Sequence, residues 1–473
     1  MRLENFLIMR QELLLTLVAL IVLIADLAIK DDKKRIVIPI SIVLFFLVTV
    51  AGFIPASEGI LFGGMYKSTA LTILMKNILN VGVLIVFIQS VTWLKRDDLQ
   101  NKISEYFILI VSTLIGMNFM ISSGDFLMFY LGLETATIPI AALAAYEKFK
   151  AKSAEAGIKL ILSSALSSGI LLYGLSMIYG TTGSIYFADV AASFGNTPLH
   201  VLAFIFFFAG MAFKISLVPF HLWTADVYEG APINVTSYLS VISKGAAVFI
   251  FTIILYTVFS QIAYLWRELL VIISLLTMTV GNLFAIRQQN LKRFLAFSSI
   301  AQAGFILLGI LDGSVLGMTS TVYFVMIYIF SNLGAFGVVA AVSNMTNKEN
   351  MDDYNGFYRT NPKLSLVMML SLFSLAGIPP VAGFFGKFFL FTAAAHQGYY
   401  MLVLVAVLNA TISLYYYLLL IKAMFINTSD NPIARINSDF STKLGLIICV
   451  VGIFVIGFAS PLYELIRSLS FGF

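Results

Sequence analysis

Six charged side chains lie inside long apolar segments of this sequence, where charge is rare. They are Lys76, Lys159, Lys214, Lys244, Lys387 and Glu134, the last in the stretch LMFYLGLETATIPIAALA. Charge in the hydrocarbon region of a membrane is costly, and the acids and bases kept there typically belong to ion or proton pathways. An amine and a carboxylate each bind and release a proton, and each changes the proton affinity of the other. These residue types therefore indicate proton transfer across a membrane.

Three lysines lie deepest in their apolar segments. Lys214, Lys244 and Lys387 have no segment end close by, so we expect them to carry protons. We expect Glu134 to be the acid that controls Lys214. A fixed Glu134–Lys214 ion pair with a purely structural role is the alternative.

Three further side chains allow more than one interpretation. Lys76 lies near the end of its segment, so we expect its long side chain to extend to the membrane surface. Lys159 could do the same or belong to the relay. His221, at a segment end, is expected to be a polar residue of the membrane interface, with a relay role as the alternative. Lys159 and His221 are therefore secondary candidates.

The composition indicates a multi-pass membrane protein. Of 473 residues, 60% are apolar and only 11% are charged, less than half the charged fraction of an ordinary soluble domain. About 20 apolar residues cross a bilayer as an α-helix, and the sequence contains about 14 such segments. A β-barrel would show short alternating segments instead. We expect an all-α polytopic membrane protein.

The basic residues between the segments predict the orientation of the chain. Lysine and arginine collect in the loops after odd-numbered segments, for example at 30–35, 95–102 and 148–152. Because cytoplasmic loops are the basic ones, we expect these loops in the cytoplasm and both termini on the outer side. The few basic residues expected outside are Arg2, Arg10, Lys67, Arg267 and Arg467.

Two segments carry helix-breaking residues next to a lysine. Pro219 follows Lys214 in the seventh segment, and Pro379 and Pro380 precede Lys387 in the twelfth. Proline lacks the backbone donor that an α-helix needs, so both helices are expected to break. Broken helices at matching places in two halves are typical of inverted repeats around an ion path.

The predicted helices 4–8 and 9–13 form two sets of five. Because five is an odd number of membrane crossings, the second set must enter the membrane in the opposite direction to the first. We expect an N-terminal three-helix segment at 1–100 and a first repeat at 104–259. The inverted second repeat is expected at 266–425, followed by a loop and a last helix at 426–473.

Cofactor chemistry finds little support in this sequence. Cys449 is the only cysteine, too few for an iron–sulfur cluster. His200, His221 and His396 are far apart, without the spacing of a metal site. No common nucleotide-binding loop is present. We expect no cofactor, metal or nucleic acid bound to this chain, and an energy source outside it.

Several strings of this sequence resemble one family of membrane proteins. They are HLWTADVYEGAPINVTSYLSVISKGA, LGLETATIPIAALAAY, EAGIKLILSSALSSGILLYG, NLKRFLAFSSIAQAGF and LAGIPPVAGFFGKFFLF. The family contains the antiporter-like membrane subunits of bacterial respiratory complex I, the NADH:quinone oxidoreductase, and the large subunits of multisubunit sodium/proton antiporters. The resemblance covers nearly the whole chain. Within this family the chain resembles the N-type subunits in three respects. These are the string DVYEGAP, the lysine at position 387 and the expected lack of a long lateral helix.

The resemblance implies roles for residues at the family's motifs. Glu134 resembles the acid of the fifth helix, and Lys214 its partner on the broken seventh helix. Lys244 resembles the central lysine of the eighth helix, and Lys387 the terminal lysine of the broken twelfth. Lys159 matches a lysine of the sixth helix.

The resemblance also implies partners. NADH, FMN, iron–sulfur clusters and quinone are expected in other subunits, and none of them in this chain. The expected neighbours are the antiporter-like subunit M and the small membrane subunits K and J, in the lipid bilayer of the inner membrane.

The implied activity is proton translocation driven by quinone reduction elsewhere in the complex. We expect a weaker Glu134 contact to let Lys214 release its proton toward Lys244 and on to Lys387, through water and polar side chains. Gln302 stands where many relatives have histidine and cannot titrate, so a relay there must use its amide and water. The alternatives are a cation/proton antiporter subunit without a redox partner, and a structural spacer with unused charges.

Overall fold

The computed structural model describes residues 3–471, so Arg2, predicted on the outer side, lies outside the described residues. Thirteen helices in this range are long and apolar enough to cross a membrane. One further helix consists of two shorter halves, Pro362–Ala376 and Ala382–His396. The predicted all-α polytopic fold is confirmed.

The chain divides into two compact units. The first contains the residues up to Ile215 together with Ile242–Ala263. Its α-helices are Arg10–Ala28, Val37–Gly52, Ala70–Leu94, Ile103–Ile121, Phe126–Ala144, Ala151–Thr182, Phe187–Ser193, Pro198–Ile215 and Lys244–Thr257. Short 3-10 helices are Leu3–Met9, Asp31–Ile36, Phe62–Gly64, Asp97–Lys102 and Ser260–Ile262. Strands Gly59–Leu61 and Tyr66–Ser68 pair antiparallel, with Ile60 opposite Lys67.

The second unit contains Ser216–Val241 and the residues from Tyr264 onward. Its α-helices are Leu222–Gly230, Ile233–Tyr238, Ala263–Ile286, Leu291–Ile310, Val315–Thr346, Phe357–Thr360, Pro362–Ala376, Ala382–His396, Tyr400–Phe425, Phe440–Phe458 and Ser460–Ser470. Met351–Tyr354 is a 3-10 helix. The π-helical turn Leu239–Ser243 begins in this unit, and its last two residues belong to the first unit, as does Lys244, which follows it.

Polar side chains fix where several of these helices begin. Asp125 accepts a hydrogen bond from the amide of Met128 at 2.6 Å and caps the helix that carries Glu134. Asn290 accepts from the amide of Lys292 at 2.9 Å and starts Leu291–Ile310. Such caps satisfy amides that have no partner within their own helix. Each cap thus marks the residue at which its helix begins.

Both predicted helix breaks are present. Pro198–Ile215 ends before Pro219, and the next helix starts at Leu222. The helix that precedes Pro379 and Pro380 ends at Ala376 and is capped by Gly377, whose φ of +87° lies in the left-handed region that glycine adopts without strain. The break therefore follows from residue types that stop an α-helix.

A buried ion pair joins the first and third spans. Lys76 Nζ lies 2.5 Å from Glu12 Oε1, and each side chain is only 1% exposed. The Tyr66 hydroxyl donates to Glu12 Oε2 at 3.0 Å and accepts from Lys76 Nζ at 3.0 Å. Burial raises the pKa of Tyr66 to about 12, so the phenol keeps the proton that it donates. The expectation that Lys76 reaches the membrane surface is wrong, because its amine bonds inward to the buried carboxylate of Glu12.

We predict that the single variant Lys76→Met is less stable than the double variant Lys76→Met, Glu12→Gln. The single change leaves a buried carboxylate without its counter-charge, which typically costs about 3–5 kcal/mol. The double change removes both charges, and the amide oxygen that replaces the carboxylate still offers Tyr66 an acceptor. Thermal unfolding of the purified protein in lipid nanodiscs measures the difference. Equal melting temperatures of the two variants would contradict a stabilising pair.

Candidate functional site

The first candidate site lies where the helix Pro198–Ile215 ends. Lys214 is in its last turn, and its Nζ donates a hydrogen bond to Thr137 Oγ1 at 2.6 Å. Thr137 lies three residues after Glu134, so the two side chains are neighbours on one helix. Within residues 3–471 the ammonium bonds to Thr137 and not to Glu134. The alternative of a fixed Glu134–Lys214 ion pair does not describe this geometry.

Glu134 is nevertheless close enough to act on Lys214. The carboxylate lies within electrostatic range of the ammonium, and its Oε1 is buried without a hydrogen-bond partner. A small cavity adjoins Lys214, lined by Leu133, Thr137, Ser164, Ser167, Ser168, Leu171, Gly210 and Phe213. Serine and threonine hydroxyls donate and accept hydrogen bonds, so this lining suits a mobile ammonium group.

Lys244 begins the helix Lys244–Thr257 and is buried. The π-helical turn Leu239–Ser243 comes directly before it. Such turns are uncommon inside α-helices and are frequently found at functional sites. The sequence pattern predicted the lysine but not the irregular turn that presents it.

Lys387 is buried beside the second helix break. Its Nζ donates to the carbonyl oxygen of Ala376 at 3.0 Å and lies 4.4 Å from the centre of the Phe305 ring. Ala376 is the last residue of Pro362–Ala376, and carbonyls in the last turn of a helix have no partner within it. The break therefore creates the acceptor that the ammonium occupies, and the ring face adds a cation–π contact.

Gln302 lies at the same helix end. Its Nε2 donates to the carbonyl oxygen of Leu375 at 3.0 Å and to the Tyr417 hydroxyl at 3.4 Å. Gln302 and Lys387 thus bind the carbonyls of neighbouring residues. The structure thus places the secondary candidate Gln302 at the same helix end as Lys387, a predicted proton carrier.

The other two secondary candidates have different surroundings. The Lys159 side chain is 42% exposed and pairs with Glu155 at 2.7 Å, one turn earlier on the same helix. His221 is buried in the break after Ile215, and its Nδ1 has no hydrogen-bond partner. Lys159 therefore faces away from the interior of the protein, whereas His221 faces into it.

Sequence reasoning missed several polar residues at these sites. Thr137 could have been found from its spacing to Glu134. The Asp312–His396 pair could not, because the two are far apart in sequence: His396 Nδ1 lies 2.8 Å from the fully buried Asp312 carboxylate. Among residues 3–471, no three histidines, cysteines or acids lie close enough together to hold a metal ion.

The chain is similar to known membrane proteins of one family. Residues 123–413 match the model described as NADH:quinone oxidoreductase/Mrp antiporter, transmembrane. NADH-quinone oxidoreductase subunit N of Phocaeicola vulgatus is 53% identical over 461 residues, which cover 97% of this chain and 98% of that protein.

Solved structures share the fold. A chain of respiratory complex I from Thermus thermophilus with bound aureothin is 25% identical, with a TM-score of 0.82 over 97% of this chain and 99% of that one. A chain of the Mrp complex from Dietzia sp. is 20% identical, with a TM-score of 0.86 over 99% and 97%. Fold and buried lysines define a multi-pass, antiporter-like membrane subunit. The chain belongs to the NADH:quinone oxidoreductase/Mrp antiporter family.

We predict that Thr137→Val lowers the stability of the protein while Thr137→Ser does not. Valine keeps the shape of the side chain but removes the hydroxyl that accepts from Lys214. Hydrogen bonds to charged groups contribute about 1.5–3 kcal/mol, and the lower end applies here because Lys214 is partly exposed. Thermal unfolding in lipid nanodiscs measures the loss. Identical unfolding of both variants would show that this hydrogen bond is not stabilising.

Proposed function

We propose that this chain is a proton-translocating membrane subunit of an NADH:quinone oxidoreductase, acting through Glu134, Lys214, Lys244 and Lys387. The observation that carries the proposal is the 53% identity, over 97% of this chain, to a relative named NADH-quinone oxidoreductase subunit N. The positions of the buried Lys244 and Lys387 and of the partly buried Lys214, at irregular points of their helices, agree with it. The chain contributes to the enzyme by moving protons, and the redox chemistry belongs to other subunits.

In the first unit the switch would be a movement of the Lys214 ammonium between Thr137 and Glu134. The two acceptors are one helical turn apart, and Glu134 Oε1 has no competing hydrogen bond. An amine and a carboxylate at about 4 Å interact by about 4 kcal/mol at an effective dielectric constant of about 20. Moving one charge through 100 mV costs about 2.3 kcal/mol. The interaction energy of a single contact of this kind therefore exceeds the cost of moving one charge against such a membrane voltage.

The proposal includes a location and partners. The loops after odd-numbered helices lie in the cytoplasm, and both termini lie on the outer side of the inner membrane. Subunit M and the small subunits K and J are its neighbours, while NADH, FMN, iron–sulfur clusters and quinone bind to partner subunits. The repeats at 104–259 and 266–425, inverted relative to each other, each carry one broken helix with its lysine.

We predict that Lys244→Met and Glu134→Gln each slow proton pumping by about tenfold or more, because a positioned proton carrier contributes at least that much to transfer. Pumping driven by NADH oxidation is measured with the assembled complex in proteoliposomes. Lys443→Met and Glu105→Gln are matched controls, since both side chains are exposed. Undiminished pumping by Lys244→Met would contradict the role of Lys244 as the central proton carrier. The same result for Glu134→Gln would contradict the role of Glu134 as the switch.

Co-purification separates this function from that of a sodium/proton antiporter subunit without a redox partner. A tagged chain should bring down flavin-containing, NADH-oxidising and quinone-binding subunits in stoichiometric amounts. Recovery with small membrane proteins and no flavin would favour the antiporter.

A further inference from the structure

Three connecting segments of the first unit are joined to one another by ion pairs between them. They are residues 29–36, 95–102 and 146–152, each of which follows an odd-numbered predicted span. Arg35 pairs with Asp97 and so joins the first segment to the second. Arg96 Nη1 lies 2.8 Å from Glu147 Oε1 and joins the second to the third. The three segments therefore form one surface, called the basic surface below.

The basic surface accounts for the whole net charge of the chain. Its segments contain ten lysines and arginines and five acids, which gives a net charge of +5, and the complete chain also has a net charge of +5. The remaining residues are therefore neutral in sum. Basic residues at the edge of a membrane attract anionic lipid headgroups, so this surface is the part of the chain with the strongest charge complementarity to them.

The acids of the basic surface mostly neutralise other bases. Four of the five form ion pairs, namely Asp31 with Lys34, Asp97 with Arg35, Asp98 with Arg96, and Glu147 with Arg96 and Lys150. Within residues 3–471, neither Lys102 nor Lys148 has a carboxylate as its ion-pair partner. These two ammonium groups can therefore bind an anion from outside the chain.

Both ammonium groups lie against one exposed aromatic ring. Phe149 is 89% exposed, and its ring centre lies 5.7 Å from Lys102 Nζ and 5.3 Å from Lys148 Nζ. Cation–π contacts of this kind hold an ammonium group near the ring face. The buried Tyr146 fixes the arrangement, because its hydroxyl donates to the carbonyl oxygen of Lys102 and joins the two segments.

The length of the preceding helix places the ring near the lipid headgroups. Phe126–Ala144 has 19 residues, a length of about 28 Å, and the hydrocarbon core of a bilayer is about 30 Å thick. Phe149 lies five residues beyond the end of this helix and two before Ala151–Thr182 begins. An apolar ring at this level is more stable among the upper parts of the acyl chains than in water.

We propose that Phe149, Lys102 and Lys148 form a binding site for an anionic phospholipid. The ring inserts between acyl chains, and the two ammonium groups bind the phosphate oxygens of the headgroup. A zwitterionic lipid such as phosphatidylcholine binds less well, because its own ammonium group offsets the charge of its phosphate. The site is separate from the buried lysines, so it does not depend on the proposed proton translocation.

The test uses a fluorophore within the site. Phe149→Trp keeps an aromatic ring beside both lysines, and the full chain is reconstituted in vesicles of phosphatidylcholine mixed with phosphatidylglycerol. The acyl chains of one lipid or of the other carry bromine, which quenches tryptophan fluorescence on contact. Quenching of the unchanged chain, measured in the same vesicles, is subtracted to remove the signal of Trp93, Trp223 and Trp266.

We expect brominated phosphatidylglycerol to quench the added tryptophan more strongly than brominated phosphatidylcholine. Adding Lys102→Met and Lys148→Met should abolish this preference, with a loss of about fivefold in relative affinity for each lysine. Lys30→Met with Lys33→Met is the matched control, because it removes the same charge from exposed lysines of another segment of the basic surface. We expect this control to keep the preference.

Four results would overturn the proposal. Equal quenching by the two lipids would show that the site does not select an anionic headgroup, and no quenching by either would show that the ring is outside the lipid. Equal losses in the two double variants would indicate a response to net charge alone. Quenching in the isolated chain that disappears in the assembled complex would show that a partner protein, and not a lipid, covers the site.

Discussion

A helix that stops inside a membrane leaves carbonyl groups that hydrocarbon cannot satisfy, so the protein must supply their partners. In the second unit these carbonyls belong to Leu375 and Ala376, and the partners are Gln302 and Lys387. The ammonium of Lys387 therefore stabilises the end of the broken helix by donating a hydrogen bond to one of its free carbonyls. A charged donor forms a stronger hydrogen bond than a neutral one, so the protonation of this lysine is linked to the end of the helix itself.

The lysines at the two breaks have different partners. Lys214 lies in the last turn of its helix, where the helix dipole favours a cation, and it bonds to the hydroxyl of Thr137 on another helix. Lys387 lies after its break and bonds back to the preceding half. Gly383 allows these halves to meet, because a Cβ at this position would collide with the carbonyl oxygen of Ser374.

Segment length and proline position predicted the spans and both breaks, because these features act locally along the chain. Lys76 was misread for the opposite reason. Its distance from a segment end says nothing about the direction of its side chain, which Glu12 determines from another helix. The contacts of Gln302 with Leu375 and Tyr417 likewise depend on packing between distant parts of the sequence. The candidate lysines could be picked out by residue type, whereas their hydrogen-bond partners could not.

The π-helical turn before Lys244 also determines the direction in which this side chain points. Such a turn holds one residue more than the α-helical turn that it replaces, and one residue corresponds to a rotation of about 100° around the helix axis. The residues on either side of Leu239–Ser243 are thus out of phase with those of a regular helix. If the irregular turn moved by one position along the chain, then the residues that it passed would change faces while both ends of the helix stayed in place.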